Sequence, residues 1–312
     1  MRWTEPEWLD EARAWIEAQV AVAGEIEQPH VRPWSTVLRV PTADGDLWFK
    51  AVTALHRFEP ALTALLGRLL PDRVPELVAL DEKRAWMLMR DGGTRLRELP
   101  ATVEHWEAAL PRYAELQIAA APQANELLDL GVPDFRLDKL PRLVEEMLAE
   151  QPLGLSVEEH QAMLDRVPEL AAMARELAAY GVAETVQHDD LHDGQVFVRD
   201  GRYVVFDWGD ACVSHPFHTL TVTLRAAAWR LELEPGEREV LRMRDAYLEP
   251  FGRPAELASA ADIAYRTGTL ARAYAWHRYV AAAQSQDEED AEAVAYGVKR
   301  FLENGPIGAW RE

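Results

Sequence analysis

The 312 residues carry 53 acidic against 33 basic side chains, a formal net charge of −20, with 48% apolar and 28% charged residues. That balance excludes a largely disordered chain and leaves room for two lobes; its field repels nucleic acid and anionic membrane surfaces and attracts cationic small molecules, beyond serving solubility. A single cysteine, Cys212, excludes an intramolecular disulfide and a cysteine zinc cluster, no run approaches the ~18 apolar residues of a membrane helix, and the opening Met1-Arg2-Trp3-Thr4 lacks a signal-peptide pattern, so a cytoplasmic protein with no nucleic-acid and no membrane partner is expected.

In chain order, Trp8, Leu9, Ala12, Trp15, Ile16 and Val20 recur at helical spacing and predict a first amphipathic helix over 6–23, with Thr4 as its N-cap. Residues 35–40 and 47–52 read as strands around the turn Ala43-Asp44-Gly45-Asp46, and place Lys50 near the end of an antiparallel pair. A helix is expected over 58–70 with Glu59 in its first turn. Two more strands follow, 77–80 and 85–89, joined by Asp81-Glu82-Lys83-Arg84, and the glycine pair Gly92-Gly93 predicts a flexible hinge. Beyond it the spacing is helical over 103–121 and 137–150, and from Ser156, whose Glu159 three residues later completes a capping box, on towards Tyr180. Further helices are expected over 221–232, 237–249, 256–284 and 288–303, with the acidic run 287–290 as a solvated helix start.

Between these helical stretches lies His188-Asp189-Asp190-Leu191-His192-Asp193-Gly194-Gln195, followed by two short apolar runs, 196–198 and 203–206, around Asp200-Gly201. That dipeptide tolerates the positive φ of a two-residue hairpin turn. The register then sets Arg199 opposite Arg202 and Val198 opposite Tyr203, and brings Gln195 to the end where Asp207 leaves, with Asp190 close by. Carboxylate and amide oxygens in one place suit a hard cation such as Mg²⁺, which shares its ligands with phosphate.

His188, Asp190, an amide five residues on and an aspartate closing the next hairpin form the catalytic-loop and metal-aspartate grammar of protein-kinase-like phosphotransferases. The chain resembles the aminoglycoside phosphotransferase family of small-molecule kinases, whose motif reads H-G-D-x-H-x-x-N. Asp189 stands here in place of that glycine, and Gln195 in place of the asparagine. The resemblance implies an α+β, protein-kinase-like two-lobe fold. A nucleotide lobe over 1–91 would hold a small antiparallel sheet and a leading helix, and a mostly helical lobe over 92–312 the catalytic loop and acceptor site.

It also implies ATP and Mg²⁺ as cofactors and the hydroxyl of a small molecule as acceptor, with a cationic aminoglycoside, amino sugar or amino alcohol favoured by the acidic balance. In that frame Asp190 orients or accepts the hydroxyl proton, Gln195 and Asp207 hold the metal, and His188 is structural. Lys50 meets the nucleotide phosphates, Glu59 aims it, Ser35 lies beside them, and adenine rests on the backbone about Met87 and Met89. Read alone, Lys50 is also a solvated strand residue, Glu59 a helix-start acid, and Ser35 the start of a strand. Asp210 is a further phosphate-side acid or a turn cap. The family's acidic D-P-x-x-D-L segment carries His215 and Thr219 instead, which implies a different local geometry. Acceptor contacts are expected within 221–285, with Trp229, Asp262, Tyr265, Trp276 and His277 as candidates.

Two other readings stay open. One is a catalytically silent kinase-like nucleotide-binding protein. The other is a zinc-dependent hydrolase built on His188 and His192, whose i, i+4 spacing matches H-E-x-x-H but whose flanking Asp and Gly residues favour a loop.

Overall fold

The computed structural model describes residues 2–150, 153–283, 288–305 and 307–308. The chain opens with a single 3₁₀ turn, Arg2–Thr4, and helix α1 (Pro6–Gln19). Thr4 is therefore not the N-cap: Glu5 holds that position without a side-chain capping bond, and Pro6 takes the first helical position, where its missing N–H costs nothing. Strands β1 (Glu27–Val31), β2 (Ser35–Thr42) and β3 (Gly45–Val52) lead to α2 (Glu59–Leu69), then β4 (Leu77–Asp81) and β5 (Trp86–Arg90). These strands form one antiparallel sheet in the order β1-β2-β3-β5-β4.

Period-two alternation divides the sheet into two faces. Leu38 and Val40 of β2, Leu47, Phe49 and Ala51 of β3, and Trp86 and Leu88 of β5 pack with Trp8, Ala12 and Ile16 of α1. Lys50 alternates with Phe49 and Ala51 and so belongs to the opposite face, where α2 lies.

Beyond β5 come β6 (Thr94–Arg95), α3 (Val103–Ala120), α4 (Ala124–Asp129), α5 (Leu140–Ala149) and α6 (Val157–Ala178). The capping box at Ser156 and Glu159 is present in full. Strands β7 (Thr185–Gln187), β8 (Val196–Arg199), β9 (Arg202–Val205) and β10 (Cys212–Ser214) precede α7 (Thr219–Arg230), α8 (Arg238–Leu248), α9 (Pro254–Ala283) and α10 (Glu288–Glu303). Of the acidic run 287–290, Asp287 lies outside the described residues and Glu288 opens α10. The fold is thus α+β and protein-kinase-like, with an antiparallel sheet first and mostly helices after it. The core joins α2 to α3, α7, α8 and the β8–β9 hairpin through residues such as Leu62, Leu66, Leu110, Val196, Val205 and Leu224.

The hairpin register is Val198 with Tyr203 and Arg199 with Arg202. Asp200 and Gly201 both take positive φ, +50° and +73°, as a twisted two-residue turn requires. The glycines after β5 are required by close packing. A Cβ on Gly92 would lie 2.5 Å from the Phe206 ring, and one on Gly93, where φ is +90°, 2.5 Å from the Val198 carbonyl oxygen. The connection between sheet and helices is thereby pressed against the hairpin.

The two positive-φ glycines separate strain from clash. A Cβ on Gly201 meets nothing within 4 Å. Gly201→Ala is expected to cost about 1 kcal/mol of unfolding free energy in urea titration, from backbone strain alone. Gly93→Ala adds a backbone collision and is expected to cost more.

Candidate active site

The β7–β10 pair, Thr185–Gln187 against Cys212–Ser214, pins both ends of the segment between them. Residues 188–195 form a loop rather than a helix. His188 is fully buried beneath it: its N–H donates to Tyr113 Oη (2.9 Å), its Nδ1 accepts from the Asp190 N–H (3.2 Å), and Nε2 meets the Phe206 carbonyl oxygen (2.8 Å). Those partners assign the proton to Nε2 and leave no lone pair for a metal. Burial lowers its pKa, which keeps the ring neutral. The two histidines of the zinc reading are therefore not a ligand pair, and His188 is structural. No group of three or more His, Cys, Asp or Glu side chains poised for a metal occurs among the described residues.

The hairpin returns the chain to the same end, where the Phe206 N–H donates to the Gln195 carbonyl oxygen (2.9 Å). The next residue, Asp207, turns left-handed at φ +62°, and Trp208 is buried behind it, its ring centroid 4.9 Å from that of His188. Asp207 Oδ1 accepts from Lys50 Nζ at 2.5 Å, and Lys50 also donates to Glu59 Oε1 at 2.6 Å. Gln195 Nε2 lies 3.2 Å from the other Asp207 oxygen. Lys50 is neither a solvated strand residue nor Glu59 a plain helix-start acid. Burial works against the Lys50 charge, but Asp207 and Glu59 outweigh it and raise its pKa. For Glu59 burial prevails over Lys50 and pushes the carboxyl up to about 7. Asp207 is also penalised by burial, yet Lys50 holds it below its ordinary value; half of its side chain remains open to the cleft (49%).

A cavity of about 260 Å³ opens over this cluster. Ser35, Lys50, Glu59, Asp190, Gln195, Asp207 and Asp210 line it, so residues singled out far apart in the sequence meet in one place. Its far wall is α9, which presents Arg272, Ala275, Trp276 and Tyr279, while Trp34 and His56 come from the sheet side. The Trp34 and Tyr279 rings meet edge-on at 5.3 Å, and Tyr279 meets Trp276 at 5.7 Å. Met87 and Met89 do not line it: both are buried in β5, with β3 on one side and β4 on the other holding their backbone.

Of the acceptor candidates only Trp276 reaches the cavity. Trp229 is exposed on α7, Asp262 is exposed and Tyr265 buried about three turns before Trp276 on α9, and His277 pairs with Glu150 at 3.2 Å. Arg272 was not foreseen. It donates to Asp189 at 3.0 Å and to Asp190 at 2.9 Å, with Asp210 at 3.8 Å. Burial raises all three acids and Arg272 opposes it: Asp190 ends well below its ordinary value, Asp189 is pushed up to about 6 and Asp210 to about 7. Asp189 lies deepest, only 3% exposed, and Asp210 is the farthest of the three from Arg272. The signal for this wall was the i, i+3, i+4, i+7 spacing of Arg272, Ala275, Trp276 and Tyr279, one face of a helix.

A model of the phosphotransferase enzyme family matches residues 24–258. The chain belongs to that family. It is a small-molecule kinase of the aminoglycoside phosphotransferase type. Phosphotransferases of like fold include the ethanolamine kinase of Plasmodium vivax, 13% identical, covering 96% of this chain and 89% of that one, with a TM-score of 0.61. A choline/ethanolamine kinase family protein from Mesorhizobium loti is 18% identical, covers 95% and 98%, and gives 0.62. An amicoumacin kinase in complex with AMP-PNP and Ca²⁺ is 11% identical, covers 99% and 96%, and gives 0.63. No curated protein matches the sequence. Among the described residues no helix of this phosphotransferase is long and apolar enough to cross a membrane.

The segment that departs from the family's acidic pattern is a neutral, buried network. His218 bridges Ser214 Oγ (2.8 Å) and Thr267 Oγ1 (3.0 Å), and burial lowers its pKa to about 3. A histidine with a folded-state pKa below its unfolded value stabilises the fold fully above the unfolded value, near 6.5, and loses that contribution as pH falls towards the folded one. Native protein is therefore expected to be more stable than His218→Gln at about pH 7, and the gap, read by thermal or urea unfolding, to shrink on acidification to about pH 5. A gap independent of pH would contradict a neutral His218.

Proposed function

We propose that the chain transfers the γ-phosphate of ATP, with Mg²⁺, to a hydroxyl of a small cationic molecule. The observation that carries this is the triple junction Glu59–Lys50–Asp207, at 2.6 and 2.5 Å, lining the same cavity as Asp190. A lysine held between a helix glutamate and an aspartate from the second lobe is the arrangement that sets an ammonium against nucleotide phosphates. The bound nucleotide analogue and Ca²⁺ of the amicoumacin kinase support the choice of cofactors.

The donor set fits a hard divalent cation. Asp207 offers a half-open carboxylate, and Gln195 an amide whose oxygen and nitrogen exchange places by a half-turn of its last torsion. Mg²⁺ commonly takes one or two protein oxygens and completes its shell with water and phosphate. When bound, it would neutralise charge on the phosphoryl oxygens. Lys50 binds the α- and β-phosphates, Glu59 holds it on target, and Ser35 lies at the phosphate end of the cavity. Asp190, kept ionised beside Arg272, orients the acceptor hydroxyl in line with phosphorus and takes its proton as the new P–O bond forms and the bond from the γ-phosphorus to the bridging oxygen breaks, releasing ADP.

Four carboxyl groups, Glu59, Asp190, Asp207 and Asp210, face two permanent cations, Lys50 and Arg272, in the lining. Glu59 and Asp210, both pushed up to about 7, ionise more fully as a cation approaches, which favours Mg²⁺ and a cationic acceptor, and Trp34, Trp276 and Tyr279 offer aromatic faces to an ammonium group. Aminoglycosides, amino sugars and amino alcohols share that chemistry. A second reading, nucleotide binding without turnover, has one observation behind it: the Gln195 amide already closes on Asp207 at 3.2 Å. The test is ATP consumption with Mg²⁺ against aminoglycosides, amino sugars, amino alcohols and neutral sugars. Turnover that depends on an amine-bearing acceptor is expected, and Asp190→Ala should lower it by about 100- to 10,000-fold. Nucleotide binding with no turnover against any acceptor would favour the silent reading.

A further inference from the structure

The geometry points to Arg272, anchored by Asp189, as the positioning residue that presents Asp190 to the acceptor. This rests on the reading of Asp190 as the group that meets the hydroxyl. Asp189 sits at φ +63°, a left-handed conformation in which glycine is unstrained and an L-residue persists only where its surroundings hold it. What holds it is its carboxylate, buried against Arg272 Nη1 at 3.0 Å. The other guanidinium nitrogen, Nη2, reaches Asp190 Oδ1 at 2.9 Å. A planar fork with one arm fixed cannot swing the other, so the neighbouring aspartates are locked in relative orientation through a single side chain.

Arg272 is itself confined. Its guanidinium carbon lies 5.4 Å from the Trp276 ring centroid, one turn along α9, and its side chain is 16% exposed. The Asp190 backbone is fixed independently by its N–H bond to His188 Nδ1. The remaining freedom of Asp190 is its side-chain rotation, which the Arg272 fork removes. His192 faces the second Asp190 oxygen at 3.5 Å, but its Nδ1 already accepts from the Gly194 N–H at 2.9 Å, so the ring follows the loop rather than directing the acid. Arg272 thus acts through Asp190 and needs no contact with nucleotide.

The test compares full-length native protein with Arg272→Met, Arg272→Lys and Asp189→Gly, the last keeping a residue at ease in the left-handed turn in case the arginine variants fold poorly. Crystal structures supply an arm that needs no acceptor. The Asp190 carboxylate is expected to leave its native orientation in Arg272→Met; an unmoved carboxylate overturns the proposal. With the acceptor that supports turnover, kcat is expected to fall about tenfold to a hundredfold in Arg272→Met, as for a misplaced reacting group, while KM for ATP stays within about twofold. Arg272→Lys, with the charge but not the fork, should recover part of that loss, and Asp189→Gly should lower kcat in the same sense by a smaller factor. Unchanged kcat in Arg272→Met and Asp189→Gly, or a loss shared equally by KM for ATP, overturns the assignment. Asp190→Ala separates the two levels: native turnover in that variant defeats the parent reading, whereas lost turnover there with native kcat in Arg272→Met defeats this inference alone.

Discussion

One buried ammonium joins the two halves of the molecule. Lys50 of β3 has 8% of its side chain exposed, and its two partners are Glu59 of α2 and Asp207, 157 residues further along the chain. A lone lysine in that position would pay a heavy desolvation penalty, and one carboxylate with good geometry offsets it. Two carboxylates overshoot, so burial acts on the surplus. Glu59, with no solvent exposure, is driven up to about 7, while Asp207, half open to the cavity, keeps its charge beside Lys50. The competition decides which acid remains ionised at the cleft. That acid is the one aimed at the position a cation would take.

A second cation works on the opposite wall by the same logic. Arg272 of α9 faces Asp189, Asp190 and Asp210; Asp190 stays well below its ordinary value, while burial prevails at Asp189 and Asp210 and pushes both up. Each wall of the cavity therefore carries one permanent cation on a regular element and acids on the loops that follow β7 and β9. Loops alone place carboxylates loosely; here each is tethered to a strand or helix, which holds the charges in place before any ligand arrives. Left-handed turns at Asp189 and Asp207 flank the arrangement and turn adjacent side chains out of the strand direction.

The parts legible in sequence were those with local causes. Asp200-Gly201 announced a turn whose φ values only a few residues tolerate, and the register followed by counting outward. Helix spans were visible from spacing, and α6 from its capping box. The less legible parts depend on contacts between distant residues. Nothing in the words around Gly92 and Gly93 says that Phe206 and Val198 press against them, so the close packing was not legible there. Strands β7 and β10 hold three residues each and exist only because they pair with one another. Thr4 looked like a cap by residue type, but it closes the 3₁₀ turn before α1 and Glu5 takes the cap position. The α9 wall was written in plain helical spacing, but only the position of α9 against the cleft separates it from a core or solvent face.

The two departures from the family's loop motif fall on residues that each meet a charged partner. Asp189, in place of glycine, meets Arg272, and Gln195, in place of asparagine, meets Asp207. A glycine at 189 could not anchor an arginine, and Arg272 without that anchor would face Asp190 and Asp210 alone. The change at 189 and the arginine on α9 are therefore one device. Because one fold serves unrelated acceptors, the residues that set the acceptor are to be sought where this chain has rearranged its charges, on the face of α9 that carries Arg272, Trp276 and Tyr279. The junction around Lys50 ties the sheet to the residue that leaves the β8–β9 hairpin; the junction around Arg272 is the one that carries the departure from the family motif at Asp189.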